Sequence, residues 1–435
     1  MTDLRGVGGS VRPRCVVVGA GIVGVCSALS LQQAGADVTL IDHVPSGSGC
    51  SFGNGGLIQT GACIPLATPA VLRRLPSLLL QPTGPLVIRW RRLLAMRQFL
   101  LRFVEAAGQV EAISTALADM LRQASSSYET LLNAADLRGL VRTSGEMYVY
   151  ETLSGFESAK PIHELRRRHG VRVDFLSGDE ARALEPALGR TVTGAALLPD
   201  TQAATDPYLL TSRLASHFAR LGGRFESARV TDVHVVGANH VEITTTMQTM
   251  RPDIVVVAAG AESGTFARRL GLRVPLQPER GYHLMLKGAD ELNTPIVGGE
   301  YRFGLIRQLT GVRLVAGSEL AAVDDAPDFR RINRLVTVAR RLVPSLEGTV
   351  ERRWMGARPS MPDSLPVIMR SPASRRVIFA FGHGHLGLTL GAHTGQLVAN
   401  LAMTDAIPPG YVTWPRRFEV NSSPHASAAY ISPQP

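Results

Sequence analysis

Gly19, Gly21 and Gly24 stand in G-x-G-x-x-G spacing straight after the apolar run Cys15 to Val18, and Asp42 follows eighteen residues beyond Gly24. Each residue type has a reason to be there. A glycine at 19 permits a tight turn, one at 21 lets a pyrophosphate approach the amides of Ala20, Ile22 and Val23, and one at 24 lets a helix pack closely on a strand. Asp42, with His43 beside it, sits where a carboxylate accepts hydrogen bonds from ribose hydroxyls. The elements that must position these groups follow from the same stretch. Residues 15 to 18 read as a buried strand, Val23 to Gln33 has apolar residues at helical spacing, and Asp37 to Leu40 alternates toward a second strand ending at the acid. The unit predicts a dinucleotide site; an ordinary βαβ turn would need no acid at Asp42.

The unit starts close to the N-terminus and no second nucleotide motif follows, which favours a flavin nucleotide lying along the whole chain over a nicotinamide. The acid closing the second strand argues against a 2′-phosphate. Behind it, PSGSGCSFGNGGLIQTG over 45 to 61 is dense in glycine and serine. It reads as a loop that wraps the ligand, with Ser51, Asn54, Gly55 and Gly56 as donors; the alternative is a flexible linker. Further on, DIVVVAAGAESG reads as a buried parallel strand running into a turn at Ala259 and Gly260. In a doubly wound sheet such an end lies beside the first glycine turn, which brings Val230 and Gly260 near the nucleotide.

With 435 residues the chain has length for two or three domains, and its 45% hydrophobic and 19% charged content is that of a globular protein. The net charge of +10 fits an anionic ligand or a membrane surface. Basic residues are spread along the chain and no nucleic-acid module is recognisable, so no nucleic-acid partner is expected. Cys15, Cys26, Cys50 and Cys63 lack metal-ligand spacing and resemble no disulfide framework, which predicts no metal and a reducing cytoplasm. No apolar signal core precedes the nucleotide unit, and no run reaches the roughly eighteen to twenty apolar residues of a membrane span. Residues 1–13 and 420–435 are expected to be disordered tails.

Residues 65 to 104 interleave leucines, phenylalanines and Trp90 with seven arginines, broken by prolines at 65, 69, 76, 82 and 85. Two readings stand for these short helices: a basic amphipathic surface lying in a membrane interface, or a cap over a substrate pocket. The spacing then predicts one long helix over 109 to 133, a strand over 145 to 151, sheet strands within 274 to 319, and an arginine-rich helix over 327 to 343.

Six segments in order complete a pattern: GAGIVG, SFGNGG, DIVVVAAGAES, PERGYH at 278 to 283, GARPSMPDSLPVI at 356 to 368 and GHGHLGLTL at 382 to 390. Together they resemble the D-amino-acid oxidase superfamily, over about residues 14 to 417, and within it most the bacterial D-amino-acid and D-hydroxyproline dehydrogenases. The resemblance implies an α/β protein with a Rossmann-type FAD-binding domain and a second, substrate domain on a mixed or antiparallel sheet. The expected FAD-binding segments are 14–61, 191–272 and 350–417, with 62–190 and 273–349 as the substrate domain.

The resemblance also implies that Gly384, His385, Leu386, Gly387, Leu388 and Thr389 start a helix facing the flavin pyrimidine, where amides stabilise the charge of the reduced ring. Arg358 matches a position where an arginine meets a substrate carboxylate, a buried structural arginine being the alternative. Tyr282 and His283, and Tyr301 and Arg302, are expected on sheet strands, with Tyr282 and Arg302 favoured as the pocket-facing members. His385 departs from the less polar residue common in these dehydrogenases, so it could tune the flavin or touch substrate. With no cysteine near that segment, FAD is expected to be non-covalent.

The implied reaction is oxidative deamination of a D-amino acid or cyclic imino acid by hydride transfer from Cα to flavin N5. Electrons would pass to a quinone or the respiratory chain, from the cytoplasm or the inner face of the membrane. An O2-using glycine or sarcosine oxidase is an alternative, and so is a non-catalytic flavoprotein subunit.

Overall fold

The computed structural model describes residues 12–73, 86–89, 93–237, 240–404, 417 and 419–420. Its first element, β1 (Arg14–Val18), is central because Cys15 to Val18 are all buried and can only sit between two neighbours. It pairs in parallel with β2 (Asp37–Asp42) on one side and with Ile254–Val257 on the other. Arg224–Ser227 and Ser374–Phe381 extend the sheet in parallel, and Val367–Ser371 closes it antiparallel. Helix α1 (Ile22–Gln33) and the last helix, Gly387–Thr404, cover one face. They pack so closely that a Cβ added at Gly395 would lie 2.5 Å from the Cys26 carbonyl oxygen. The other face carries a small antiparallel sheet (Val230–Val236, His240–Thr245, Thr249–Met250) and the helix Ser263–Arg269.

A second, mixed sheet of nine strands runs Leu346–Ser360, Gln277–Gly288, Gly311–Leu320, Phe303–Gln308, Ile296–Gly298, Glu146–Tyr150, Gly194–Leu198 and Asp174–Ser177, with Leu86–Ile88 added beside Ser318–Leu320. One face packs Tyr282, Leu284 and Leu286 against Ile332, Leu335 and Leu342 of the arginine-rich helix Arg330–Leu342. The other face looks toward the loop at 51–56. The α/β class, the parallel sheet behind the glycine turn and the mixed second sheet stand as read.

Several expectations are corrected by the pairing. Gly194–Leu198 and all of Leu346–Ser360 belong to the second sheet, because their hydrogen-bond partners lie there, so the crossing points fall near 202 and 361 rather than 191 and 350. The long helix at 109–133 is two, Val110–Arg122 and Ala124–Ala135, divided at Gln123. Both belong to the nucleotide-side core, packed against the last helix, and not to the substrate sheet. Within 65–104, Leu86–Ile88 is a strand and Leu93–Ala107 a helix, while 74–85 and 90–92 lie outside the described residues. Of the expected tails, Pro13 accepts from the Asp37 amide at 3.0 Å and Glu419–Val420 pairs with Leu272–Arg273; residues 1–11 and 421–435 lie outside the described residues. Among the described residues no helix is long and apolar enough to cross a membrane.

Candidate active site

The nucleotide end is built by backbone approach. Gly19 has φ +102°, and a Cβ there would lie 2.5 Å from the Ala258 carbonyl oxygen, so only glycine lets the first turn rest on the end of the neighbouring strand. A Cβ at Gly24 would fall 1.8 Å from the Gly19 oxygen. Gly21 caps α1 with extended backbone and no side chain, and no acid occupies the first turn to offset the positive end of the helix dipole. Two of the amides there already have partners. Ala20 donates to Asp42 Oδ2 at 2.7 Å and Ile22 donates to Ser51 Oγ at 3.0 Å. Asp42 also accepts from the Val44 amide at 3.2 Å, with His43 Nδ1 at 3.1 Å, which leaves carboxylate lone pairs available. Its carbonyl accepts from Ala228, which sets Val230 beside it, and the turn at Ala259 and Gly260 follows Ile254–Val257 next to Gly19. Gly19 to Gly24, Asp42, His43, Ser51, Val230, Ala259 and Gly260 are thus gathered at the carboxyl ends of three adjacent parallel strands.

The 51–56 loop is no free linker. Arg313, buried on the second sheet, donates from Nη1 to the carbonyls of Phe52 (3.1 Å) and Asn54 (2.6 Å); Gln308 reaches Gly55 O at 3.3 Å. The Asn54 carboxamide closes the turn on the Gly56 amide at 2.8 Å. Gly53 lies against the indole of Trp354, which stacks on His283 at 5.1 Å between centroids. From the other side Thr389 ties the same segment to the last helix, accepting from the Gln59 amide at 3.1 Å and donating to Leu57 O at 3.3 Å. The residues from Gly384 to Thr389 therefore start that helix over the loop, with no acid in the first turn.

Arg358 and His385 meet on one buried acid, Glu279. Arg358 Nη1 donates to Glu279 Oε1 at 3.2 Å and to Gly317 O at 3.0 Å, and His385 Nε2 lies 2.9 Å from the same Oε1. Ser318 and Ser360 donate to the carboxylate at 2.6 and 2.7 Å. Burial alone would raise the Glu279 pKa, but the His385 ring beside it, Arg358 and Ser318 outweigh that and hold it well below the usual carboxylate range. Burial pushes the nearby Cys50 thiol up to about 11, so it stays neutral.

The other expected site residues lie elsewhere. Glu279, Gly281 and His283 face Arg358, Gly356 and Trp354 across an unbroken register, which puts Tyr282 on the opposite face. There its ring packs on Phe329, and its hydroxyl donates to Glu319 within a cluster that includes Arg280 and Arg89. Of that pair, His283 is the one beside the loop. Tyr301 and Arg302 are not on a strand; they form the turn before Phe303–Gln308, Arg302 with φ +56°. Tyr301 bonds to Glu151 and Arg341, sharing no partner with Arg358. Reading residues one at a time missed Glu279, which alternates with Gly281 and His283 within the strand region expected at 274 to 319, and Trp354, whose strand Leu346–Ser360 was not expected.

An acid-free helix N-terminus, a glycine turn that a Cβ would fill, and a carboxylate with lone pairs to spare at one end, and a second acid-free helix start at the other, fit an extended dinucleotide such as FAD. The family model described as DAO, FAD dependent oxidoreductase, matches residues 14–401. The D-amino-acid oxidase of Bradyrhizobium diazoefficiens is 32% identical over 395 residues, covering 88% of this chain and 94% of that protein. The D-amino acid dehydrogenase of Paramagnetospirillum magneticum is 32% identical over 403 residues, covering 89% and 94%. Among solved structures, the L-proline dehydrogenase from P. horikoshii superposes with a TM-score of 0.71 at 19% identity over 93% of this chain and 97% of that one. The glycine oxidase from Geobacillus kaustophilus gives 0.68 at 22% identity, over 97% and 100%.

Proposed function

Because this chain belongs to the DAO family of FAD-dependent oxidoreductases, we propose that it oxidises a D-amino acid or a cyclic imino acid such as D-proline or D-hydroxyproline. The observation that carries this reading is that Arg358, on a sheet face, and His385, in the Gly384–Thr389 helix start, meet on the one acid Glu279. An arginine fork with an open edge suits one α-carboxylate. Binding there fixes the substrate by its acid end. FAD, when bound, supplies the acceptor for the hydride leaving Cα. The protein's share is then orientation and water exclusion, with the substrate amine neutral and no strong base required. A linear substrate yields an imine that water converts to a 2-oxo acid and ammonia; a cyclic one yields a cyclic imine.

The test is an anaerobic flavin-bleaching screen over both enantiomers of the amino acids, with proline and hydroxyproline. Bleaching by none of them would overturn the reading. Comparing turnover with O2 against a quinone separates a dehydrogenase from an oxidase of glycine type. For a quinone in a bilayer, the helix Leu93–Ala107 offers a contact: Leu94, Leu101 and Val104 are 84%, 64% and 57% exposed along one face that also carries Arg97. Retention of the protein by anionic vesicles, lost on Leu94→Glu with Leu101→Glu, is the expected result.

A further inference from the structure

We propose that Glu279 is a positioning residue that holds Arg358 and His385 together as a two-armed clamp for the substrate carboxylate, with Gly281 leaving room for the arginine fork. This rests on the amino-acid reading above. Four segments of the chain converge on this one side chain, which is 4% exposed: its own strand, Ser318, the Arg358–Ser360 strand end, and His385 before the last helix. The acid is crowded on one side, with Ser318, Arg358 and His385 on Oε1 and Ser360 on Oε2. What it leaves free is the outer edge of the Arg358 fork and the far nitrogen of the His385 ring.

Arg358 uses Nη1 on Glu279 and Gly317, so among the described residues Nε and Nη2 keep their hydrogens for another partner. The guanidinium lies over Gly281, where a Cβ would fall 2.1 Å from Nη2. Glu279 and Gly281, two apart on one strand face, therefore fix the fork from one side and make space for it on the other. His385 turns Nε2 to Glu279 and its side chain is 38% exposed, with no hydrogen bond made by Nδ1 among the described residues. The free N–H groups of the Arg358 fork, held beside the His385 ring, form a hydrogen-bonding edge that a single carboxylate fits.

The experiment uses the FAD-loaded protein with Glu279→Gln and, separately, Gly281→Ala. Benzoate, an unreactive carboxylate, is titrated by its perturbation of flavin absorbance, and KM and kcat are measured with whichever amino acid bleaches the wild type. Expected for both variants is a rise of about tenfold or more in benzoate Kd and in KM, with kcat at saturation within about threefold of wild type. Unchanged or tighter benzoate binding in Glu279→Gln would overturn the proposal, because the acid would then be a bystander or a competitor for Arg358. If Glu279→Gln does not fold, Gly281→Ala decides alone, since it displaces the fork and leaves the acid in place. A wild type that binds benzoate but is bleached by no amino acid would sink the amino-acid reading and leave the clamp to stand or fall on the benzoate result.

Discussion

Replacing Gly24 by alanine sets two effects of known size against each other. Alanine at the third residue of α1 gains at most about 1 kcal/mol of helix propensity. The added Cβ, however, would lie 1.8 Å from the Gly19 carbonyl oxygen, a backbone atom that cannot rotate aside as a side chain could. The helix cannot simply retreat, because its far side is held at Gly391 and Gly395, where Cβ positions fall 3.1 Å from Ile22 and 2.5 Å from the Cys26 oxygen. Overpacking of this kind costs about 1–3 kcal/mol or more, so the net change is expected to be destabilising. The displaced helix start carries the amides that would meet the pyrophosphate, and FAD affinity is expected to fall about ten- to a hundredfold, each factor of ten being about 1.4 kcal/mol. Apoprotein titrated with FAD, read by quenching of flavin fluorescence, measures the affinity, and a thermal melt measures the stability. Gly264→Ala is the control: its Cβ would meet only Leu276 at 3.4 Å, in a helix, and a small gain is expected. A Gly24→Ala protein that melts like Gly264→Ala and binds FAD like wild type would refute the close-approach reasoning.

Arg358→Ala should keep FAD yet lose about 2–5 kcal/mol in kcat/KM, part of it from leaving Glu279 with one cation fewer; an unchanged kcat/KM would remove Arg358 from the site. Glu146, buried under Gln59, is raised to about 7, chiefly by burial and against the opposing effect of Arg166. A carboxyl raised in the folded state favours folding at low pH and loses that advantage as pH climbs from about 4.5 to 7, so Glu146→Gln should raise the melting temperature at pH 8 and leave it nearly unchanged at pH 4.5. His163, His283 and His383 are lowered to about 3, each mainly by burial; neutral when folded, they contribute stability above pH 6.5 that is lost as pH falls from 6.5 toward 3. Melts of the His163→Gln variant should show a weaker acid decline than wild type, and an identical decline would discount that residue.

The nucleotide half of the site was legible because its chemistry is local: Gly19 to Asp42 encode turn, helix start and acid within one βαβ unit. The substrate half is not local. Glu279 meets Arg358 across 79 residues and His385 across 106, and no spacing rule links a strand residue to a helix start at that range. Alternation limited Tyr282 and His283 to opposite faces but could not say which face held the loop; the register with Trp354 decides it. Arg302 escaped because its left-handed backbone is rare for arginine and breaks the strand pattern that the flanking apolar residues suggest. The strand Leu346–Ser360 was divided between two domains because arginines at 352, 353 and 358 hide its alternation.

The order of strands in the first sheet fixes when, during synthesis, the molecule can become whole. Arg14 at the start of β1 donates to Asp253, 239 residues later, and the Gln59 amide waits 330 residues for Thr389. At roughly 5–20 residues per second, the earliest strand spends on the order of ten to fifty seconds with an open edge before its neighbour leaves the ribosome. No cofactor can bridge the two ends of its site until nearly the whole chain is out. Flavin supply should therefore act on newly finished chains, as the ligand that locks an already assembled fold. Pulse-labelled protein from flavin-starved cells is expected to disappear faster than from replete cells, and equal half-lives would show that the closed sheet holds without it.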